Sequence, residues 1–216
     1  MDLPPLSFDQ LSTVLAVAPT PADLYTSLSD YEEQACLIST TTLDEKELLS
    51  AFYTAFFFSH LLTDQIYEAR ALTRRIPRDL LRSDSLQNCL LLLRAVWQSQ
   101  HTEIYKILRE LPWPERSQPV VSSFESYFQE KTLKEVSNSF ESIRLGAAAT
   151  YVGLDPVAAE QSDPAVIQRF TALGWKWDSE KHLLYPEPIV TAPPRDDDSL
   201  QNELSRVMSL INNQAS

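Results

Sequence analysis

The chain has 216 residues, 44% of them hydrophobic, which suits one or two folded domains with a sizeable core and excludes a disordered polypeptide. Its 30 acidic and 18 basic residues give a net charge of −12 and an isoelectric point near 4.6, arguing against nucleic acid or an anionic membrane as the main partner. Cys36 and Cys89 are too few for a disulfide framework and read as buried thiols of a reducing compartment. The N-terminus lacks the basic start and sustained apolar run of a signal peptide, and no window approaches the roughly 18 apolar residues of a membrane span. A cytoplasmic or nuclear protein is expected.

The first 130 residues read as helical throughout, because three glycines in the whole chain leave little turn chemistry for a β-rich fold. Thr20-Pro21-Ala22-Asp23 opens a helix in which Leu24, Leu28, Tyr31, Ala35 and Ile38 share a face. Thr42 to Glu45 is a capping box, followed by Leu48, Leu49, Phe52, Phe56 and the aromatic run to Phe58. A shorter helix is expected from about Asp64 to Arg75, stopped by Pro77. Ser85 opens a run from Leu86 to Gln98, Thr102 opens Glu103 to Leu111, and Ser117 to Gln129 completes the set. Helices joined by short connectors pack as antiparallel pairs, which predicts a small right-handed, TPR-like helical-repeat stack over residues 1–131.

Residues 132–186 change in pattern. Thr132 to Glu135 has the spacing of a second capping box, with Leu133, Val136, Phe140 and Ile143 then on one face. A helix from Arg144 to Val152 follows. Asp155-Pro156 and Asp163-Pro164 each place a capping carboxylate before a proline at the first helical position. Gly174 closes the last helix where a left-handed residue is needed. Trp175 and Trp177 alternate with polar neighbours as a strand, Asp178 to Lys181 makes a turn, and Leu183 to Tyr185 returns. Short helices ending in a two-stranded hairpin are a winged-helix pattern. Between Leu133 and Val190 it holds five Lys or Arg and eight Asp or Glu. Winged helices that read DNA gain affinity by neutralising phosphates with clustered cations, so this one reads as a protein-binding surface.

Pro186, Pro188, Pro193 and Pro194 make residues 187–198 a stiff, extended linker. Asp196, Asp197, Asp198 and Ser199 then favour a helix start. Leu200, Leu204, Val207 and Ile211 are spaced 4, 3 and 4, with Met208 beside them, a coiled-coil-type seam over residues 199–213. A lone helix of that length is marginal in water. Its apolar stripe must be buried, and the proline linker makes other chains the expected cover.

Nothing in the sequence assembles a catalytic site. The histidines His60, His101 and His182 are far apart, and there is no His-x-x-x-His, Cys-x-x-Cys or glycine-rich phosphate loop. No enzyme activity, metal, cofactor or small-molecule ligand is therefore expected. Arg70, Arg74, Arg75 and Arg78, with Arg82, form the one basic concentration of an acidic chain. They read either as a solvated face paired with Glu68, Asp79 and Asp84 or as a docking face for an acidic partner. The strand spacing puts the indoles of Trp175 and Trp177 on one face, with core packing their expected role.

Four segments carry a resemblance. They are Ala69-Arg70-Ala71-Leu72-Thr73-Arg74-Arg75-Ile76-Pro77; Trp97-Gln98 with Ile104-Tyr105; Trp113-Pro114-Glu115 with Gln118-Pro119; and Ser142-Ile143, Tyr151-Val152-Gly153-Leu154 and Gly174-Trp175-x-x-Asp178. In this order and spacing, over roughly residues 60 to 186, the chain resembles the PCI-domain scaffold proteins shared by the proteasome lid, the COP-nine signalosome and an initiation-factor complex. Within them it is most similar to the family of the smallest, eighth signalosome subunit. The resemblance implies a non-catalytic subunit of the assembly that removes the ubiquitin-like modifier Nedd from cullin ubiquitin ligases, the isopeptidase lying in another subunit. It implies partners as well: other PCI subunits, the third foremost, and a multi-chain helical bundle. In such assemblies winged-helix sheets add edge to edge. The candidate contact residues are thus Trp175, Lys176, Trp177 and Asp178, or His182, Leu183, Leu184 and Tyr185, with Leu200, Leu204, Val207, Met208 and Ile211 for the bundle. A proteasome-lid or initiation-factor subunit and, from a different class, a winged-helix nucleic-acid binder are the alternatives.

Overall fold

The computed structural model describes residues 3–189. The helix expected over residues 199–213, with Leu200, Leu204, Val207, Met208 and Ile211, lies outside the described residues, as does the linker beyond residue 189.

Each of the first three helices begins where its cap is written. In α1 (Phe8–Val17) the Ser7 side chain accepts from the Gln10 amide, and in α2 (Pro21–Leu37) that of Thr20 accepts from Asp23. Helix α3 (Leu43–Leu62) has the complete capping box, the Thr42 hydroxyl accepting from the Glu45 amide while the Glu45 carboxylate accepts from the Thr42 amide at 2.9 Å. The Thr42 amide and then the Thr42 hydroxyl, both donating to it, hold the Glu45 carboxyl at about 2, well below its ordinary range. From Leu49 to Leu62 every residue of α3 is buried. A helix apolar all round belongs in the middle of a structure, and α2, α4 (Ile66–Arg75), α5 (Asp84–Trp97) and α7 (Gln118–Ser139) pack around it. Two of its buried polar side chains are bonded: Thr54 donates to the Ser50 carbonyl at 2.7 Å, and Ser50 Oγ lies 2.9 Å from both Ser83 and Ser85. Helix α6 (His101–Glu110) follows α5 after a tight turn in which Ser99 takes a positive φ of 52°.

Three helix starts differ from expectation; the first is α6, which begins at His101 after Gln100 and leaves Thr102 inside its first turn. Helix α5 begins at Asp84 after Ser83, leaving Ser85 buried inside its first turn. The break expected between Gln129 and Thr132 does not exist, because α7 runs unbroken from Gln118 to Ser139. Thr132-x-x-Glu135 has capping spacing, but no Gly or Pro interrupts residues 120–139, and buried positions continue through Thr132 to Val136 and Ser137. Propagating an existing helix is easier than nucleating a new one, so tertiary packing overrides the local signal. The division expected at 131/132 therefore falls within one helix, which serves two cores. Phe124 packs into the first, centred on α3, and Val136 into the second. The expected apolar face also ends early, since Phe140 is exposed and Ile143 belongs to a strand.

The second core carries the winged-helix arrangement: β1 (Ile143–Arg144), α8 (Leu145–Tyr151), α9 (Pro156–Glu160), α10 (Pro164–Thr171), β2 (Lys176–Asp178) and β3 (Leu183–Tyr185). Asp155 and Asp163 cap α9 and α10 as their Asp-Pro pairs predict. The molecule is mainly helical with one small antiparallel sheet. The sheet has three strands rather than two, in the order β1-β3-β2, pairing Ile143 with Leu184 and Trp177 with Leu184. A two-residue strand is too short to show alternation, which is why β1 was not legible.

Candidate functional site

The sheet order decides which expected contact residues have a free backbone. Strand β3 is central, with β1 on one side and β2 on the other, so Leu183 and Leu184 offer no open edge and Tyr185 is paired on the β2 side. This corrects the choice between the two strands of the hairpin: the outer edge of β2, Lys176 to Asp178, is the one on the wing. Side chains sort the same way. Leu184 is fully buried, and Trp175, just before β2, is 2% exposed with its indole stacked on Phe170 at 5.0 Å. Neither can touch a partner without unfolding the core. Trp177 is half-buried against the same core, with its ring edge-on to His182 at 6.0 Å, and only Lys176 of the strand is fully open. The hairpin turn is built by Asp178, whose Oδ1 accepts from the amides of Glu180 and Lys181 at 3.0 and 3.1 Å. His182 then takes a positive φ of 52°.

Helix α8, where a DNA-reading helix could sit, packs against α9, and a Cβ at Gly146 would meet the Glu160 side chain at 3.3 Å. A carboxylate flanking that surface repels phosphate.

A joint missed in the sequence ties the two cores together. The loop after α8 is gripped by three side chains from α6 and α7: Tyr105 donates to the Tyr151 carbonyl at 3.2 Å, Gln129 to Val152 at 2.7 Å and Arg109 to Gly153 at 2.5 Å. Arg109 also pairs with Glu125 at 2.7 Å and lies over the Tyr105 ring. Gly153, at a φ of +69°, lets the loop lie on that ring, since a Cβ there would come within 2.5 Å of it. Ile104-Tyr105 and Tyr151-Val152-Gly153-Leu154 had drawn notice as separate motifs; the fold makes them one contact.

The basic concentration divides. Arg75 pairs across to Glu32 of α2 at 2.8 Å rather than with Glu68, Asp79 or Asp84. Arg70 sits over the Trp97 ring, 5.3 Å from its centroid, while Arg74 and Arg78 are exposed. Near them a surface cleft of about 660 Å³ between α1, α3 and residues 79–85 mixes Lys46, Arg82 and Arg116 with Glu47, Asp79, Asp84 and Glu115. With both signs interspersed, its lining has no single charge to present to a ligand.

Titratable groups are placed as packing elements. His60 is buried in α3 with its ring 4.6 Å from Phe56, and burial pushes its imidazole below the ordinary value. His101 is lowered for the same reason against Phe128 and Tyr151. Cys89 is buried and its thiol pushed up, but Cys36 is exposed, against expectation. Among the described residues no group of three His, Cys, Asp or Glu could hold a metal ion, and no helix is long and apolar enough to cross a membrane.

A sequence profile of the CSN8/PSMD8/EIF3K family matches residues 47–195. The chain belongs to the CSN8/PSMD8/EIF3K family. Its relatives include COP9 signalosome complex subunit 8 of Emericella nidulans (strain FGSC A4), 73% identical over 216 residues that cover the whole of both chains. The protein of the same description from Dictyostelium discoideum is 25% identical over 144 residues, 66% of this chain and 69% of that one. The span shared by the CSN8/PSMD8/EIF3K family opens inside α3 and takes in the joint and the whole sheet. Helices α1 and α2 precede it and are shared at full length with the Emericella relative.

Proposed function

We propose that this protein is a non-catalytic scaffold subunit of a COP9 signalosome, the assembly that removes Nedd from cullin ubiquitin ligases. The observation that carries the reading is identity of 73% over the full length of both chains with COP9 signalosome complex subunit 8. The proteasome-lid and initiation-factor branches of the family are the less favoured readings, because neither is matched by a relative of comparable identity.

In this reading the outer edge of β2 adds to the sheet of a neighbouring PCI subunit, the third, through main-chain hydrogen bonds. The tail from Leu200 to Ile211 buries its stripe in a bundle made with other chains, and the protein works in cytoplasm and nucleus. Affinity purification of the tagged native protein tests the core of this: signalosome subunits should be the main companions. Recovery with proteasome-lid or initiation-factor subunits instead would replace the reading with one of the other two. Fluorescent tagging of the chromosomal copy checks the two compartments.

A further inference from the structure

The outward face of α4 and α5 gathers exposed aromatic, apolar and basic side chains. Tyr67 is 72% exposed, Leu91 49% and Trp97 44%. The two aromatic rings meet edge to face, 5.2 Å apart at 86°, and the Arg70 guanidinium covers the indole. Arg74 lies one turn along α4 from Arg70, and Arg94 lies one turn before Trp97 on α5, both exposed. All three guanidinium groups are exposed and stand beside the aromatic pair, Arg70 directly over the indole. In a chain of net charge −12, three exposed guanidinium groups gathered around an exposed Tyr–Trp pair make a locally basic, aromatic face. Packing inside the molecule does not account for it, since these side chains point away from both cores.

We propose that this face is a docking site for an acidic protein segment carrying an apolar anchor. Trp, Tyr and Arg are the residues that dominate protein interfaces, because they offer large area and directed donors at little entropic cost. Carboxylates on the segment would meet Arg70, Arg74 and Arg94 in bidentate geometry. A leucine or aromatic side chain would pack against the exposed Tyr67 ring beside the arginines. Nucleic acid also suits arginines and aromatic rings, but a surrounding field of net negative charge opposes a polyphosphate far more than a short segment of protein. The site lies across the helical half from the winged-helix sheet in sequence, and it stands whichever assembly the protein joins.

The test places a photo-crosslinking amino acid at Tyr67 of the full-length protein in cells and sequences what it captures. The expected product is one defined segment, rich in Asp and Glu and holding an apolar residue. The double substitution Arg70→Glu with Arg74→Glu should lower its yield by more than about tenfold, while Arg74→Lys should keep most of it. A Tyr67 probe that captures RNA or a basic segment, captures nothing, or captures equally after charge reversal overturns the proposal. All substituted positions are exposed, and an unchanged thermal midpoint verifies that each variant is folded.

Discussion

Gly153 shows how one residue fixes the relation between the two cores. Its backbone is left-handed and its missing Cβ makes room for Tyr105. Gly153→Ala should destabilise the protein by about 2–4 kcal/mol, combining the backbone penalty with overpacking against the ring, as urea titration would measure. His60 makes a second prediction. Its folded pKa is depressed by burial, so as pH falls the unfolded chain takes up the proton first, near its ordinary value of about 6.5. Stability is then full above that pH and declines below it. His101 is shifted the same way, so His60→Gln should reduce, rather than abolish, the slope of melting temperature between pH 6.5 and 5. An unchanged slope would show that His60 takes its proton without cost. Residue identity told little of either effect, since burial and close approach belong to the folded state.

Elements were legible wherever a cap and a periodic face agreed. Thr20, Thr42, Asp155 and Asp163 all cap the helices they announce. Thr42→Ala should cost about 1 kcal/mol, seen as a lower urea midpoint, and raise the pKa of Glu45 toward its ordinary range. Thr132 shows the same signal failing. Its hydroxyl would be an N-cap only if the chain bent there, and the stripe running from Phe124 through Val136 gains more from staying helical. Strand β1 was missed because two residues carry no period. Its pairing with Leu183 and Leu184 is what turns the expected hairpin into a three-stranded sheet and removes β3 as an edge.

At the scale of the molecule, assembly is the property to test. Deleting residues 195–216 should leave the melting transition of the remaining chain intact while weakening its recovery with partner subunits, read by co-purification. Leu204→Asp with Ile211→Asp should act like that deletion, because a charge cannot enter a buried apolar seam. Normal recovery of both variants would mean that the tail contributes nothing to assembly.

The amino-acid sequence by itself determined the helical class, the caps, the hairpin and the acidic character of the wing, because each depends on residues close in the chain or on a sum of charges. Only the tertiary structure decided that α7 is one helix shared by two cores and that β2 has the wing's open edge. It also decided that Trp175 is core and that Tyr67, Arg70 and Trp97 form one surface. Those facts depend on which distant segments share the same space. Local pattern holds no record of that until packing chooses.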